Sequence, residues 1–146
     1  MTVVLDASAV MTLVRGEAGA GEAAEALVDG AAVSAVNFAE ARDSLARGLG
    51  RRDAVHQALD SLLERGVKVV PCDRVLAARA ADIRSERYRR RSRAVSLGDC
   101  FAIAAAEAMQ APLVTSDRDQ AAVAREVGVT VLAIPNSSGE RPDPEP

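Results

Sequence analysis

The chain has 146 residues, of which 49% are hydrophobic, 27% are charged and only 2% are aromatic. This length suits one domain with a core of Val, Leu, Ile and Ala, and the net charge of −3 excludes a global electrostatic attraction to nucleic acid. We expect a cytoplasmic protein that does not enter the membrane, because no apolar run could span a bilayer, no basic leader precedes Val3, and two cysteines, Cys72 and Cys100, cannot form a disulfide framework.

The first half of the chain predicts strands that alternate with helices. A short β-branched run over residues 2–5 stops at Asp6, and residues 7–15 then have the apolar spacing of a short helix. The other elements predicted before the first proline are a helix over 22–28, a strand over 31–35, a helix over 37–49, a helix over 51–65 and a strand over 67–70.

The second half continues the same alternation. Its predicted elements are a helix from Asp73 to about Glu86, an apolar helix over 96–109, a strand over 112–115, a helix over 117–127 and a strand over 129–134. This pattern predicts an α/β fold with a parallel sheet and helices on both faces. We expect the domain to cover residues 1–135 and the Pro-, Ser- and Glu-rich tail, residues 136–146, to be disordered.

Four acidic residues lie where a parallel sheet places its ligands. Asp6 ends the first strand, and Asp117 follows the fourth strand by two residues. Glu40 lies one turn into the helix after the second strand, and Asp99 lies at the start of the apolar helix. Ligands of parallel α/β sheets sit at the carboxyl ends of the strands, so the sequence predicts that these four carboxylates meet at one edge.

Each acid also has a purely structural interpretation. Asp6 can cap a helix, and three pairs have the spacing of capping boxes, namely Asn37 with Glu40, Ser96 with Asp99, and Ser116 with Asp119. Four converging acids without a nearby lysine nevertheless favour a bound cation, and a site made only of oxygen suits Mg²⁺ or Mn²⁺ better than Zn²⁺. Such ions commonly bind substrate phosphates, which indicates a nuclease.

Other reaction classes lack their residues. His56 is the only histidine and lies within a predicted helix, which argues against a Ser-His-Asp triad. The sequence contains no phosphate-binding P-loop, no zinc-protease helix motif and no nucleophile elbow.

The four acids lie in four sequence segments, which are Val3-Val4-Leu5-Asp6-Ala7-Ser8-Ala9, Asn37-Phe38-Ala39-Glu40-Ala41, Leu97-Gly98-Asp99-Cys100-Phe101-Ala102-Ile103-Ala104 and Leu113-Val114-Thr115-Ser116-Asp117-Arg118-Asp119. These segments resemble the sequence blocks of PIN-domain proteins, specifically VapC-like toxins. The blocks occur in the order and spacing of that family, and the resemblance covers about residues 1–134. It departs at Ala41-Arg42, where an apolar residue often follows, and at Gln120, which replaces a frequent aromatic residue.

The resemblance implies a PIN-like three-layer α/β/α fold with a five-stranded parallel sheet. It also implies a Mg²⁺- or Mn²⁺-dependent endoribonuclease, a homodimer, an RNA substrate and inhibition by a VapB-like antitoxin. The positions that match metal ligands of the family are Asp6, Glu40, Asp99 and Asp117, with Asp119 as an alternative for the fourth. Ser8 and Thr115 match positions whose hydroxyls hold a metal-bound water or the carboxylates.

An arginine-rich segment surrounds Tyr88 shortly before the block that contains Asp99. Its basic residues include Arg87, Arg89, Arg90, Arg91 and Arg93. Arginine pairs well with phosphate, so the segment could bind the RNA backbone, although an antitoxin contact or a solvated linker remains open.

Two alternatives belong to a different class. The first is a receiver-like phosphoacceptor module, which would require a lysine after a late strand, whereas the sole lysine, Lys68, lies inside the third predicted strand. The second is a non-catalytic PIN-like module that binds RNA or a protein partner. Stabilisation of the folded protein by Mg²⁺ would distinguish both from a metal-dependent nuclease.

Overall fold

A computed structural model describes residues 2–49 and 51–144 and contains one five-stranded sheet. Its strands are β1 Val3–Leu5, β2 Ala31–Ser34, β3 Val67–Val70, β4 Leu113–Thr115 and β5 Val131–Ala133. They are ordered β3-β2-β1-β4-β5, and every neighbouring pair is parallel. The predicted five-stranded parallel α/β fold is therefore confirmed.

Seven helices surround this sheet in the part of the chain that the structure describes. They are α1 Ala7–Arg15, α2 Ala20–Ala26, α3 Ala35–Leu49, α4 Arg52–Glu64, α5 Arg74–Arg87, α6 Leu97–Met109 and α7 Arg118–Glu126. Helix α3 begins two residues before its predicted start, because the Ser34 hydroxyl accepts the Asn37 backbone N–H at 3.1 Å and so caps the helix. Within the described residues, no helix combines the length and apolar character needed to cross a membrane.

The sheet separates two hydrophobic clusters. Side chains alternate along a strand, so Val3 and Leu5 belong to one cluster while Val4 belongs to the other. Helices α1, α3 and α4 contribute to the first cluster, and α5, α6 and α7 to the second. The result is the three-layer arrangement expected from the sequence.

Helix α6 is buried, as its nearly uniform apolar character predicts. Its central residues 102–106 are at most 1% exposed, and four of these five residues are alanine. Small side chains allow the helix to lie close to β1 and β2, both of which it contacts. This packing brings the first turn of α6 to the carboxyl edge of the central strands.

The strand order places a topological switch point at that edge. The chain leaves β1 towards β2 and β3 on one side, and later returns to form β4 and β5 on the other side of β1. The loops that follow β1 and β4 therefore diverge and leave a crevice between them. Asp6 and Asp117 lie in these two loops.

The segment after β5 folds back on the domain as far as the structure describes it. Arg141 donates two hydrogen bonds to Glu22, at 3.1 and 2.9 Å, and the Asp143 carbonyl accepts one from Arg125 at 2.7 Å. Pro142, between them, is buried. The domain boundary at residue 135 and the disorder of residues 136–146 stay predictions, and residues 145–146 lie outside the described part.

Candidate active site

Asp6 occupies the buried centre of the edge between β1 and β4. It caps α1, because its Oδ1 accepts the Ala9 backbone N–H at 2.7 Å. The Ser8 hydroxyl donates to the same carboxylate at 2.7 Å, and Thr115 Oγ1 lies 2.5 Å from Asp6 Oδ2. The predicted role of Ser8 and Thr115 as residues that hold a carboxylate agrees with these contacts.

Burial makes the charged form of Asp6 costly. Desolvation raises its pKa to about 6, against the hydrogen bonds from Thr115, Ser8 and Ala9, which lower it, and the charge of Asp99 raises it further. The hydroxyl network agrees with this direction, because Thr115 Oγ1 also lies 2.7 Å from Gln120 Oε1 and has one proton for two acceptors. A protonated Asp6 satisfies all three groups by donating to Thr115, which then donates to Gln120.

Asp99 is the acid that interacts with the other three. Its side chain closes a capping box at the start of α6, with Ser96 N donating to Asp99 Oδ2 at 2.8 Å and Asp99 N donating to Ser96 Oγ at 3.0 Å. This confirms the predicted box. Desolvation is the main reason that the pKa of Asp99 is raised, the hydrogen bonds with Ser96 oppose the rise, and the charges of Asp117 and Glu40 add to it.

Glu40 lies directly against the first turn of α6. Asn37 Nδ2 donates to Glu40 Oε1 at 2.9 Å and to the Gly98 carbonyl at 2.8 Å, and thereby joins α3 to α6. A Cβ atom at Gly98 would lie 2.5 Å from both carboxylate oxygens of Glu40, so only glycine leaves room for this acid. The capping box predicted for Asn37 and Glu40 is wrong, because α3 starts at Ala35 and the two side chains bond to each other.

Asp117 and Asp119 point to different partners. Asp117 caps α7 by accepting the Gln120 backbone N–H at 2.7 Å, and its charge acts on Asp99. Asp119 Oδ2 instead accepts the Ala94 backbone N–H at 3.2 Å and so holds the segment before α6. The capping box predicted for Ser116 and Asp119 is not formed, since Asp117 takes the cap position.

Gln120 joins the parts of this site, and the sequence analysis missed that role. Its side chain is fully buried, with Nε2 donating to the Asp99 carbonyl at 3.1 Å and Oε1 facing Thr115. Its backbone N–H is the one that Asp117 accepts. A polar residue on the apolar face of α7, beside Ala121 and Ala124, is the signal that could have revealed it.

The arginine-rich segment forms a turn next to α7. Arg89 and Arg93 make an antiparallel bridge, with Arg93 N donating to the Arg89 carbonyl at 2.8 Å and Arg89 N to the Arg93 carbonyl at 2.9 Å. Arg87 and Arg93 both approach Glu126 of α7, at 3.7 and 3.3 Å. Arg90 and Arg91 are exposed at the end of the turn.

The four acids are chemically suited to a divalent cation, but their carboxylates are too far apart for three of them to bind one together in this arrangement. No three His, Cys, Asp or Glu side chains in residues 2–49 and 51–144 lie close enough to hold a metal ion in this arrangement. Within the same residues, no lysine or arginine forms an ion pair with any of the four. An all-oxygen, uncompensated set fits Mg²⁺ or Mn²⁺, which need only one or two direct carboxylates.

Comparison with known proteins connects this arrangement to one family. The sequence model of the PIN domain matches residues 3–126, which is most of the chain. No curated protein sequence matches the chain significantly.

Solved structures of several bacterial proteins share the fold at low sequence identity. VapBC2 from Rickettsia felis, bound to a DNA fragment from its promoter, gives a TM-score of 0.71 at 16% identity over 90% of this chain and 98% of that one. VapC20 from Mycobacterium tuberculosis, a toxin that cleaves the sarcin–ricin loop, gives 0.69 at 20% identity over 96% and 99%. A toxin–antitoxin complex from Klebsiella pneumoniae gives 0.63 at 19% identity over 89% and 95%.

Replacing Asp6 by Asn should stabilise the metal-free protein above pH 6. A carboxyl whose pKa is about 6 when folded and 3.8 when unfolded binds more protons in the folded state, so its contribution to the free energy of unfolding falls as pH rises through that window, by about 3 kcal/mol. Denaturant unfolding from pH 4 to pH 7 with EDTA measures the difference between wild type and Asp6→Asn. A difference that does not change with pH contradicts this account.

Replacing Gln120 by Met should destabilise the fold by about 1 to 3 kcal/mol, because it removes the hydrogen bonds of Gln120 with Thr115 Oγ1 and with the Asp99 carbonyl at similar side-chain volume. Gln57→Met is the matched control, since Gln57 is exposed on α4 and should change the free energy of unfolding by less than about 0.5 kcal/mol. Urea denaturation compares the two variants. Equal stabilities of the two variants would show that the Gln120 amide does not stabilise the fold.

Proposed function

The chain belongs to the PIN-domain family, and on this premise we propose that it is a Mg²⁺- or Mn²⁺-dependent endoribonuclease, the toxin of a VapBC-like toxin–antitoxin pair. One observation carries the proposal. The charge of Asp99 acts on Asp6, and the charges of Glu40 and Asp117 act on Asp99. No basic side chain among the described residues forms an ion pair with any of these four acids. Such an arrangement costs stability unless a metal ion compensates for it.

We assign the metal to the four carboxylates of Asp6, Glu40, Asp99 and Asp117. A bound divalent ion supplies charge compensation for the phosphodiester and a water that is acidic enough to react near neutral pH. Asp117 is the fourth acid in this assignment rather than Asp119, because the charge of Asp117 acts on Asp99 whereas the Asp119 carboxylate turns to the backbone of Ala94.

The neighbouring polar residues orient the acids. Ser8 and Thr115 hold the carboxylate of Asp6, and Ser8 is itself held by the Ser116 hydroxyl at 3.1 Å. Asn37 aims Glu40 at the first turn of α6. Residues that orient ligands in this way commonly contribute one to two orders of magnitude to metal affinity or activity.

RNA is the proposed substrate, and a VapB-like protein is the proposed inhibitor. The likeness to a toxin that cleaves the sarcin–ricin loop and to toxin–antitoxin complexes supports both parts. Because the chain has few aromatic rings for stacking on bases, contacts to the RNA backbone would carry more of the binding. We further propose that the protein is a cytoplasmic homodimer.

A second candidate is a PIN-like module that binds RNA or a protein without cleavage. The separation of the carboxylates within the described residues favours it, since no three of them stand ready to hold an ion. The receiver-like alternative is wrong, because the strand order β3-β2-β1-β4-β5 differs from the 2-1-3-4-5 order of receiver domains.

Wild-type protein should cleave RNA with Mg²⁺ and stop on addition of EDTA, and Asp99→Asn should lower the cleavage rate at least about 100-fold because it removes a ligand charge. The matched control is Asp60→Asn, on the exposed face of α4, which should cleave like wild type. Gel analysis of total RNA followed by mapping of the new ends measures the activity. Cleavage by Asp99→Asn at the wild-type rate rules out the assigned site, and no cleavage by wild type favours the binding module.

Replacing Gly98 by Ala should leave the domain folded and reduce the rise in melting temperature that Mg²⁺ produces. The added Cβ displaces the Glu40 carboxylate, whose flexible side chain can move at little cost to the fold. Gly21→Ala is matched, because both glycines are the second residue of a helix and a Cβ at Gly21 meets nothing within 4 Å. Thermal melts with and without saturating Mg²⁺ compare the variants, and equal Mg²⁺ shifts would remove Glu40 from the site.

A further inference from the structure

We propose that Arg91 and Arg118, which line one cleft together with Asp117, form a subsite for an RNA backbone phosphate next to the one that is cleaved. The inference rests on the proposed function and adds the residues that hold the substrate. Arg118 has no role in the sequence analysis, and Arg91 is there only one of several arginines in a basic segment.

The cleft adjoins the acidic edge directly. One wall is the end of the arginine turn, with Arg91, Ser92 and Arg93, and the other is the start of α7, with Asp117, Arg118 and Asp119. Asp117 therefore lies both among the assigned metal ligands and in this cleft. An RNA strand whose phosphate lies at the four acids can therefore place an adjacent phosphate in this cleft, beside Asp117.

Four arginines in or beside the turn already have partners. Those with partners are Arg84, Arg87, Arg89 and Arg93. Arg84, for example, donates to the Val95 carbonyl at 2.7 Å and lies 3.9 Å from the centre of the Tyr88 ring. A guanidinium that already has a carboxylate or carbonyl partner has less capacity left for a phosphate.

Arg90 and Arg91 have no such partner among the described residues, and of these two only Arg91 lines the cleft. Among the residues that the structure describes, it makes no ion pair and no side-chain hydrogen bond, and it is exposed at the cleft. The bridge between Arg89 and Arg93 and the bond from Ala94 to Asp119 fix the turn that carries it. The turn is thus held by backbone hydrogen bonds, while the guanidinium of Arg91 has no partner among the described residues.

Arg118 is held only weakly on the opposite wall. Its Nη2 lies 3.5 Å from Asp143, and the two side chains are 79% and 78% exposed, so this ion pair is largely screened by water. A phosphate can accept two parallel hydrogen bonds from a guanidinium and replaces such a partner readily. We favour RNA over an acidic protein segment as the occupant, because the cleft shares Asp117 with the proposed metal site, at which the substrate phosphate binds.

The test measures RNA binding in the non-cleaving Asp99→Asn background and kinetics in the active protein. The probe is a fluorescently labelled RNA hairpin, titrated at several KCl concentrations with Mg²⁺ present. Arg91→Ala and Arg118→Ala should each weaken binding about 3- to 10-fold and reduce the slope of log Kd against log salt concentration by about 0.7, the value for one single-strand phosphate contact. In the active protein each should raise KM with little change in kcat.

Two further variants separate this role from a structural one. Arg74→Ala is the matched control, because Arg74 is an exposed arginine at the start of α5, away from the acidic edge. Arg79, five residues further along α5, pairs with Glu107, which lies at the end of α6 opposite to Asp99. Arg74→Ala should leave KM and the salt slope unchanged. Arg91→Lys should restore the salt slope and only part of the affinity, because lysine keeps the charge but loses the bidentate geometry.

The outcomes distinguish this inference from the proposed function. If cleavage depends on Mg²⁺ but Arg91→Ala and Arg118→Ala match Arg74→Ala in KM and salt slope, the phosphate subsite is wrong and the nuclease assignment stands. If the variants bind RNA like wild type but bind the antitoxin more weakly, the cleft binds the protein partner and the phosphate subsite is wrong. Absence of cleavage by wild type would overturn the nuclease assignment, whatever the RNA affinities are.

Discussion

The burial of the Asp6 carboxylate, with no ion pair to it from residues 2–49 and 51–144, is the constraint on which the rest of the site depends. The fold holds this group with dipoles, namely the start of α1 and the hydroxyls of Ser8 and Thr115, and it places Asp99 near enough to increase the cost of ionisation. A core designed only for stability would contain an apolar residue here. Violations of this kind are expected at functional sites, where a ligand supplies what the chain omits.

Three of the four acids assigned to the proposed site also cap helices. Asp6 caps α1, Asp99 completes the capping box of α6, and Asp117 caps α7. The start of each helix fixes the direction of its carboxylate locally, while the sheet order brings the three starts together. The structural and functional interpretations of these residues are therefore compatible, because a helix N-terminus orients an acid without neutralising it fully.

The local part of this architecture could be predicted and the long-range part could not. Apolar spacing identified the strands and helices, and the position of an acid after a strand indicated the edge at which it lies. The sequence does not reveal that Asn37 reaches Gly98, that Asp119 turns to Ala94, or that Gln120 spans to Asp99, because these bonds depend on how distant segments pack. The hydrogen bond between Arg93 and Glu126 likewise depends on how distant segments pack and could not be predicted.

The insertion of β1 between β2 and β4 also determines when, during synthesis, the site becomes complete. Asp6 and Glu40 emerge from the ribosome early, but Thr115, Asp117 and the strand that carries them beside β1 emerge only in the last third of the chain. A nascent polypeptide that ends before α6 thus lacks Asp99 and Asp117, two of the four acids of the proposed site. Under the proposed function, this delay would prevent an unfinished chain from cleaving RNA while it is still on the ribosome.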